Sequence, residues 1–167
     1  MKIIITVIIF SVCLPTAVNA QAKNEDVNSI DAIIDALYDV ISGPKEKPRD
    51  WQRFFDLFDE DARLIFTSTD TLSGFQSRSP QGYREIAESS FAANNFYESE
   101  ISRVSEIYGN IAHVFSTYAG TRTPEGEPFL RGINSIQLAH KNGRWFIETI
   151  FWQAETEEFP LPQKYLD

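Results

Sequence analysis

Apolar residues fall at Ile30, Ile33, Ile34, Leu37, Tyr38 and Ile41, a spacing that draws one stripe along a helix. Asn28 or Ser29 is placed to cap it, and Gly43-Pro44 ends it. Trp51, Phe54, Phe55 and Phe58 share one face of a second, shorter helix behind Asp50 as its cap. Residues 59–61 form a polar turn, and residues 62–69 alternate as a strand with Leu64 and Phe66 on one side. Residues 70–78, rich in Ser, Thr and Gly, predict a loop. Ser79-Pro80 then supplies a cap and a first-turn proline for a third helix, whose buried face holds Tyr83, Ile86, Ala87, Ser90 and Phe91 and which ends at Asn94-Asn95.

From Phe96 onward the period changes to two. Strands are predicted at residues 97–108, 111–123, 129–140 and 144–156, with turns at Gly109-Asn110, Pro124-Glu125-Gly126 and Lys141-Asn142-Gly143. Asn-Gly between two apolar runs is the strongest of these signals, because both residues tolerate positive φ. The hairpin over residues 129–153 is the wall against which the helices are expected to pack. Helices first and long antiparallel strands after them make an α+β domain, with three helices in the concave face of a strongly curved, mainly antiparallel sheet, a cone or half-barrel. The tail, residues 157–167, carries Pro160 and Pro162 and is expected to lie extended on the surface.

The first twenty residues differ in kind. Lys2 precedes an apolar run over residues 3–14, and Val18-Asn19-Ala20 offers small residues for a signal peptidase. Residues 1–20 therefore predict a cleaved signal peptide, residues 21–167 a single domain, and the protein an exported one, periplasmic or secreted. The single cysteine, Cys13, lies within that run, so the mature chain has no thiol for a disulfide, a metal or a nucleophile. Without Lys2, 14 basic residues stand against 24 acidic ones. That balance argues against nucleic acid and against anionic membrane surfaces after signal cleavage.

The element order, with three residue runs, resembles the nuclear transport factor 2-like, or SnoaL-like, superfamily. Leu57-Phe58-Asp59-Glu60-Asp61-Ala62 is similar to that family's turn into its first strand. Residues 132–138, Gly-Ile-Asn-Ser-Ile-Gln-Leu, and Gly143-Arg144-Trp145 with Ile147 resemble its final hairpin. The resemblance implies the cone fold and an internal pocket across most of the mature chain. It does not name a function, since the superfamily includes ketosteroid isomerase, scytalone dehydratase, polyketide cyclases and transport factors. By comparison with the isomerase, Tyr38 falls at its helix-1 tyrosine, Asn134 at its acid donor, and Phe66 at its base. Phe66 cannot move a proton, so a complete isomerase site is absent.

These readings favour a protein that holds a small, largely apolar molecule, with a carbonyl oxygen as its expected polar group. Tyr38 and Asn134 would be donors to one ligand oxygen, within walls that include Phe55, Phe66 and Trp152. The alternative is a cofactor-independent enzyme of the isomerase, dehydratase or cyclase type. Its acid or base would be Glu148, expected on the concave face with Ile150 and Trp152, or His113 within a strand. No spacing of His and carboxylates indicates a metal, and nothing indicates a cofactor. A sheet face left apolar on its outer side, with Ile147 and Phe151, predicts a homodimer.

Overall fold

A computed structural model describes residues 25–67 and 74–166. The signal-peptide segment and part of the loop at residues 70–78 lie outside the described residues. Helix α1 spans Ile30–Ile41, α2 Trp51–Asp56 and α3 Pro80–Ala93. The strands are β1 Phe58–Thr67, β2 Phe75–Arg78, β3 Tyr97–Tyr108, β4 Ile111–Thr121, β5 Leu130–Lys141 and β6 Arg144–Ala154, followed by a 3-10 turn at Gln163–Tyr165.

Each helix begins on the cap its sequence offers. Ser29 Oγ accepts from the Ala32 amide at 3.1 Å, Asp50 Oδ1 from Arg53 at 2.9 Å and Ser79 Oγ from Gly82 at 3.1 Å. Helix α1 buries Ile33, Ile34, Leu37, Tyr38 and Ile41, the expected stripe. At its C-terminal end, buried Arg49 donates to the carbonyls of Ile41, Gly43, Pro44 and Lys47. The Gly43 and Pro44 carbonyls also accept from the amides of Phe96 and Lys47, so Arg49 adds a second bond to each and ties the end of α1 to the link that follows it.

The six strands form one sheet in the order β2-β1-β6-β5-β4-β3. All neighbours are antiparallel except β1 and β6, which run parallel. The β5–β6 turn has positive φ at Asn142 (55°) and Gly143 (77°), as its Asn-Gly pair requires. The α+β cone with helices inside a curved sheet is thus borne out, with two differences at the first strand. Strand β1 begins at Phe58, taking in the acidic run read as a turn, and its pairing with β6 slips between Phe58 and Arg63 to absorb those residues. Residues 75–78 pair with β1 as a short strand.

A further irregularity decides which side chains face inward. The β5–β6 register shifts between Gln137 and Leu138, so Glu148 is an extra residue without a cross-strand partner. Such a bulge breaks the alternation of faces. Ile147 and Ile150, three apart, both point into the core. Glu148 is therefore not on the inner face with Ile150 and Trp152, and Ile147 is not on the outer face. Phe151 does lie outward, packed edge-on against Phe75 at 5.0 Å.

The core sits between the helices and the concave face, around Ile33, Ile34, Phe54, Leu57, Val114, Ile136, Leu138 and Ile147. On the convex face the tail crosses β4: Thr117 Oγ1 donates to the Tyr165 carbonyl at 2.6 Å, and the Tyr165 ring packs on Phe115.

Candidate functional site

Between the helices and the concave face lies a cavity of about 170 Å³. Helices α1 and α2 contribute Leu37, Ile41 and Phe54 to its wall, and the sheet contributes Leu64, Ile150 and Trp152. Phe96 and Leu130 close one side. Four polar side chains reach it from four elements: Tyr83 from α3, Glu98 from β3, Tyr118 from β4 and Asn134 from β5.

Glu98 is held by its backbone. Its amide donates to Ser42 Oγ at 2.9 Å, and that hydroxyl's single proton goes to the Tyr38 carbonyl at 2.7 Å, with the Glu98 carbonyl beside it at 3.1 Å, tying the end of α1 to β3. Across the strand pair, Glu98 stands opposite Gly120. A Cβ on Gly120 would press on Leu130 at 3.0 Å, so the bare backbone there is what lets Leu130 close over this part of the cavity. The remaining surface of Glu98 opens onto the cavity, and no described residue hydrogen-bonds its carboxyl. Burial without a neighbouring cation pushes that carboxyl up to about 8.

Tyr83 and Tyr118 are also raised above the ordinary tyrosine range, first by burial and then by the nearby Glu98 charge. Neither hydroxyl is bonded by a described residue. Tyr118 depends on Gly132 opposite it: a Cβ there would lie 2.5 Å from the Tyr118 hydroxyl and 2.4 Å from the Gln153 carbonyl. Tyr83 stacks on Phe54 at 5.6 Å and meets Trp152 edge-on at 6.2 Å, which fixes its ring at the wall.

Asn134 and Tyr38 are brought together, but not onto a shared ligand position. Asn134 Nδ2 donates to the Tyr38 hydroxyl at 3.0 Å, and Tyr38 lies 2.6 Å from Ser116 Oγ. Ser116 donates its only proton to Glu100, so Tyr38 must donate to Ser116. Glu100 is gripped by Arg103, which also meets Asp31 and, at 4.0 Å, Asp35. The result is a directed chain from the cavity wall to the surface. Tyr38 stands behind Asn134 rather than in the cavity, and burial is the main cause that raises its pKa.

Of the expected walls, Trp152 lines the cavity. Phe66 is on the same face of the neighbouring strand and stacks beside Trp152 at 4.8 Å. Phe55 packs on the core, and its neighbour Phe54 takes the lining position. The two proposed acid/base residues are elsewhere. Glu148 pairs with Lys141 at 3.2 Å, and His113 Nε2 meets Ser135 Oγ at 2.9 Å; both border an outer groove at the hairpin end of the sheet. A larger convex groove, about 710 Å³, lies between Phe115, Ile133 and Phe151 and the tail residues Phe159 and Pro160. Of its two acids, Glu155 and Glu158, the first is engaged by Arg131 at 2.8 Å. Among the described residues, no cluster of three or more His, Cys, Asp or Glu is placed to hold a metal.

Glu98, Tyr83 and Tyr118 were not singled out by the sequence reading. The available signal was the parity of β3 and β4, which sets Glu98 and Glu100 on the same side as Ser116, Tyr118 and Gly120. That face is small, polar and aromatic where a plain core would be aliphatic.

No protein-family model matches this chain, and no curated protein is similar to it in sequence. Solved structures do match in fold. An NTF-2-like protein of unknown function from Silicibacter pomeroyi DSS-3 aligns with a TM-score of 0.54 at 13% identity, over 84% of this chain and 100% of its own. A protein of unknown function from Mycobacterium tuberculosis aligns with a TM-score of 0.60 at 18% identity, over 87% and 80%. LinA aligns with a TM-score of 0.56 at 9% identity, over 83% and 87%. The fold is therefore the NTF2-like cone that the sequence motifs resemble.

Proposed function

We propose that this chain is an exported small-ligand-binding protein. A compact, largely apolar molecule sits in the concave cavity with one polar group against Glu98, Tyr83 and Tyr118. The observation that carries this reading is the Glu98 carboxyl, which faces an apolar cavity and is bonded by no described residue. An apolar wall supplies affinity through burial, and a few placed polar groups fix orientation. Buried polar groups left without partners cost about 1–3 kcal/mol each, which a ligand at this place removes. The test is mass spectrometry of small molecules retained by protein purified from its native host. Wild type should carry a ligand that Leu130→Trp, which fills the cavity, does not. Equal retention by both would place the ligand elsewhere and end this reading.

A second reading rests on the same carboxyl. A group held near 8 gives and takes protons readily around neutrality, as isomerase, dehydratase or cyclase chemistry requires. Glu148 and His113 stand outside the cavity, so this reading requires Glu98. Loss of turnover in Glu98→Gln, with none in Glu148→Gln, would favour it over binding alone.

Export is supported by the apolar run at residues 3–14 followed by Val18-Asn19-Ala20. No helix among the described residues is long and apolar enough to cross a membrane. Assembly as a homodimer through the convex face is supported by Phe75, Val104, Tyr108, Ile111 and Phe151, all exposed there. Monomers rarely leave so much apolar surface open.

A further inference from the structure

We propose that the ligand's polar group is a protonated amine, so that the cavity is a site for a small alkyl- or arylammonium ion seated against Glu98. This rests on the reading of the cavity as a ligand site and specifies what that site accepts.

The first argument is charge balance. The cavity wall includes one acid, Glu98, and no lysine, arginine or histidine. The nearby cations are committed elsewhere. Arg103 is held by Glu100 and Asp31, and Arg49 by the carbonyls at the end of α1. Two residues along the same strand, Glu100 shows what an internally balanced carboxylate looks like in this fold, with Arg103 on one side and Ser116 on the other. Glu98 has no such counter-ion, and a cationic ligand would supply it. An anionic ligand would find no cation in the wall and would bind only beside a protonated Glu98.

The second argument is hydrogen-bond count. Three oxygen-bearing side chains, Glu98, Tyr83 and Tyr118, reach the cavity from three elements without described partners. An ammonium group has three N–H donors, which match the ionised Glu98 carboxylate and a lone pair on each tyrosine hydroxyl. A carbonyl oxygen would accept from the tyrosine hydroxyls but has no proton to give to an ionised Glu98. The third argument is the wall itself. Phe54, Tyr83, Phe96, Tyr118 and Trp152 line the site, and aromatic rings beside a cation attract it through the negative charge of their faces. The chain's net charge of −9 favours approach of cations over anions.

Binding an ammonium ion in this arrangement ionises Glu98. The titratable groups that face Glu98 are Tyr38 from α1, Tyr83 from α3 and Tyr118 from β4, all raised well above neutrality. Glu98 is thus the group that loses a proton when the amine enters near neutral pH, and affinity rises as pH approaches 8.

The experiment is isothermal calorimetry with cyclohexylamine, cyclohexanol and cyclohexanecarboxylate, in two buffers of different ionisation enthalpy, on wild type, Glu98→Gln and Leu130→Trp. The amine should bind the wild type at least about tenfold more tightly than the alcohol, as expected for a desolvated cation among aromatic faces and a carboxylate. Its binding should release close to one proton. Glu98→Gln, which keeps the shape and loses the charge, should erase both the preference and the proton release, and Leu130→Trp should bind none of the three probes. Alcohol binding as tight as amine binding, or a preference that survives in Glu98→Gln, would overturn the inference while leaving the cavity a ligand site. Failure of all three probes to bind the wild type would bring down both the inference and that reading.

Discussion

Glu98 and Glu100 stand two residues apart on one strand and face the same interior, yet their surroundings are opposite. Glu100 accepts from Ser116 and from two nitrogens of Arg103, whereas Glu98 is bonded by no described residue and opens onto the cavity. The difference follows from what β4 and α1 present at each level. Glu98 meets Gly120 and Glu100 meets Tyr118 across the strand pair, and the Asp31 carboxylate holds Arg103 over the second site only.

The first prediction concerns pH. An ordinary glutamate titrates near 4.5, and in the folded protein Glu98 is pushed up to about 8. Between these values the folded state holds a proton that the unfolded state has lost, so the group's contribution falls as pH rises and is most unfavourable above 8. Glu98→Gln removes that penalty. Urea denaturation of both proteins at pH 5 and pH 9 should show the variant gaining on wild type by a few kcal/mol over the window. Parallel pH profiles would show that Glu98 is not held in its protonated form.

The second concerns the relay behind the cavity. Tyr38→Phe leaves the Asn134 amide and the Ser116 hydroxyl short of a buried partner. A loss of about 1–3 kcal/mol is expected. Because Tyr38 is not part of the cavity wall, cyclohexylamine affinity should change less than twofold. A larger drop in affinity than in stability would put the hydroxyl in the cavity after all.

Gly132 carries the third. An added methyl meets the Gln153 carbonyl and the Tyr118 hydroxyl at distances no real Cβ tolerates. The clash with backbone cannot be relieved by a rotamer change. Gly132→Ala should cost more than about 3 kcal/mol, the upper range for overpacking, and should displace Tyr118. Thermal melts would reveal it; a melt unchanged from wild type would mean the two strands are further apart than described.

The fourth separates the inner site from the outer groove. Glu148→Gln and His113→Ala alter residues that pair with Lys141 and Ser135 on the outside of the sheet. Calorimetric affinity for cyclohexylamine should stay within twofold of wild type in both, since neither residue is in the cavity wall. Strong loss in either would relocate the chemistry to the hairpin end.

A fifth tests assembly. Phe151→Glu and Ile111→Glu place charge on the convex face, where both side chains are exposed. Light scattering at micromolar concentration should give a dimer for wild type and a monomer for each variant. A wild-type monomer would dispose of the proposed interface.

The helices and strands were legible because each carries its own signal: Ser29, Asp50 and Ser79 as caps, the apolar stripe of α1, and Asn142-Gly143 at the hairpin. What was not legible depended on register. Glu148 shares sequence parity with Ile150 and Trp152, and only the bulge it forms on β6, opposite the step from Gln137 to Leu138, reverses its face. Tyr38 and Asn134 are expected to converge on one ligand oxygen and instead bond to each other; Ser116 and Glu100, which draw the Tyr38 proton away from the cavity, lie on strands whose alignment no local pattern specifies. Glu98 sits in an alternating run, Tyr97 to Ile101, that reads equally well as an exposed edge. Its burial comes from Ser42 and α1, which are more than fifty residues away in sequence.

The parallel pairing of β1 with β6 has a consequence for how the chain acquires its shape. In the sheet order, β6 alone joins the β2-β1 unit to the β5-β4-β3 unit. During synthesis the chain emerges from its N-terminal end, so for most of that time these are two unlinked pieces with their apolar faces open. The cavity closes only when the last strand inserts between them and Trp152 arrives beside Phe66. Contacts so distant in sequence make such a closure slow, and a chain halted before Ile150 should be held by chaperones rather than fold.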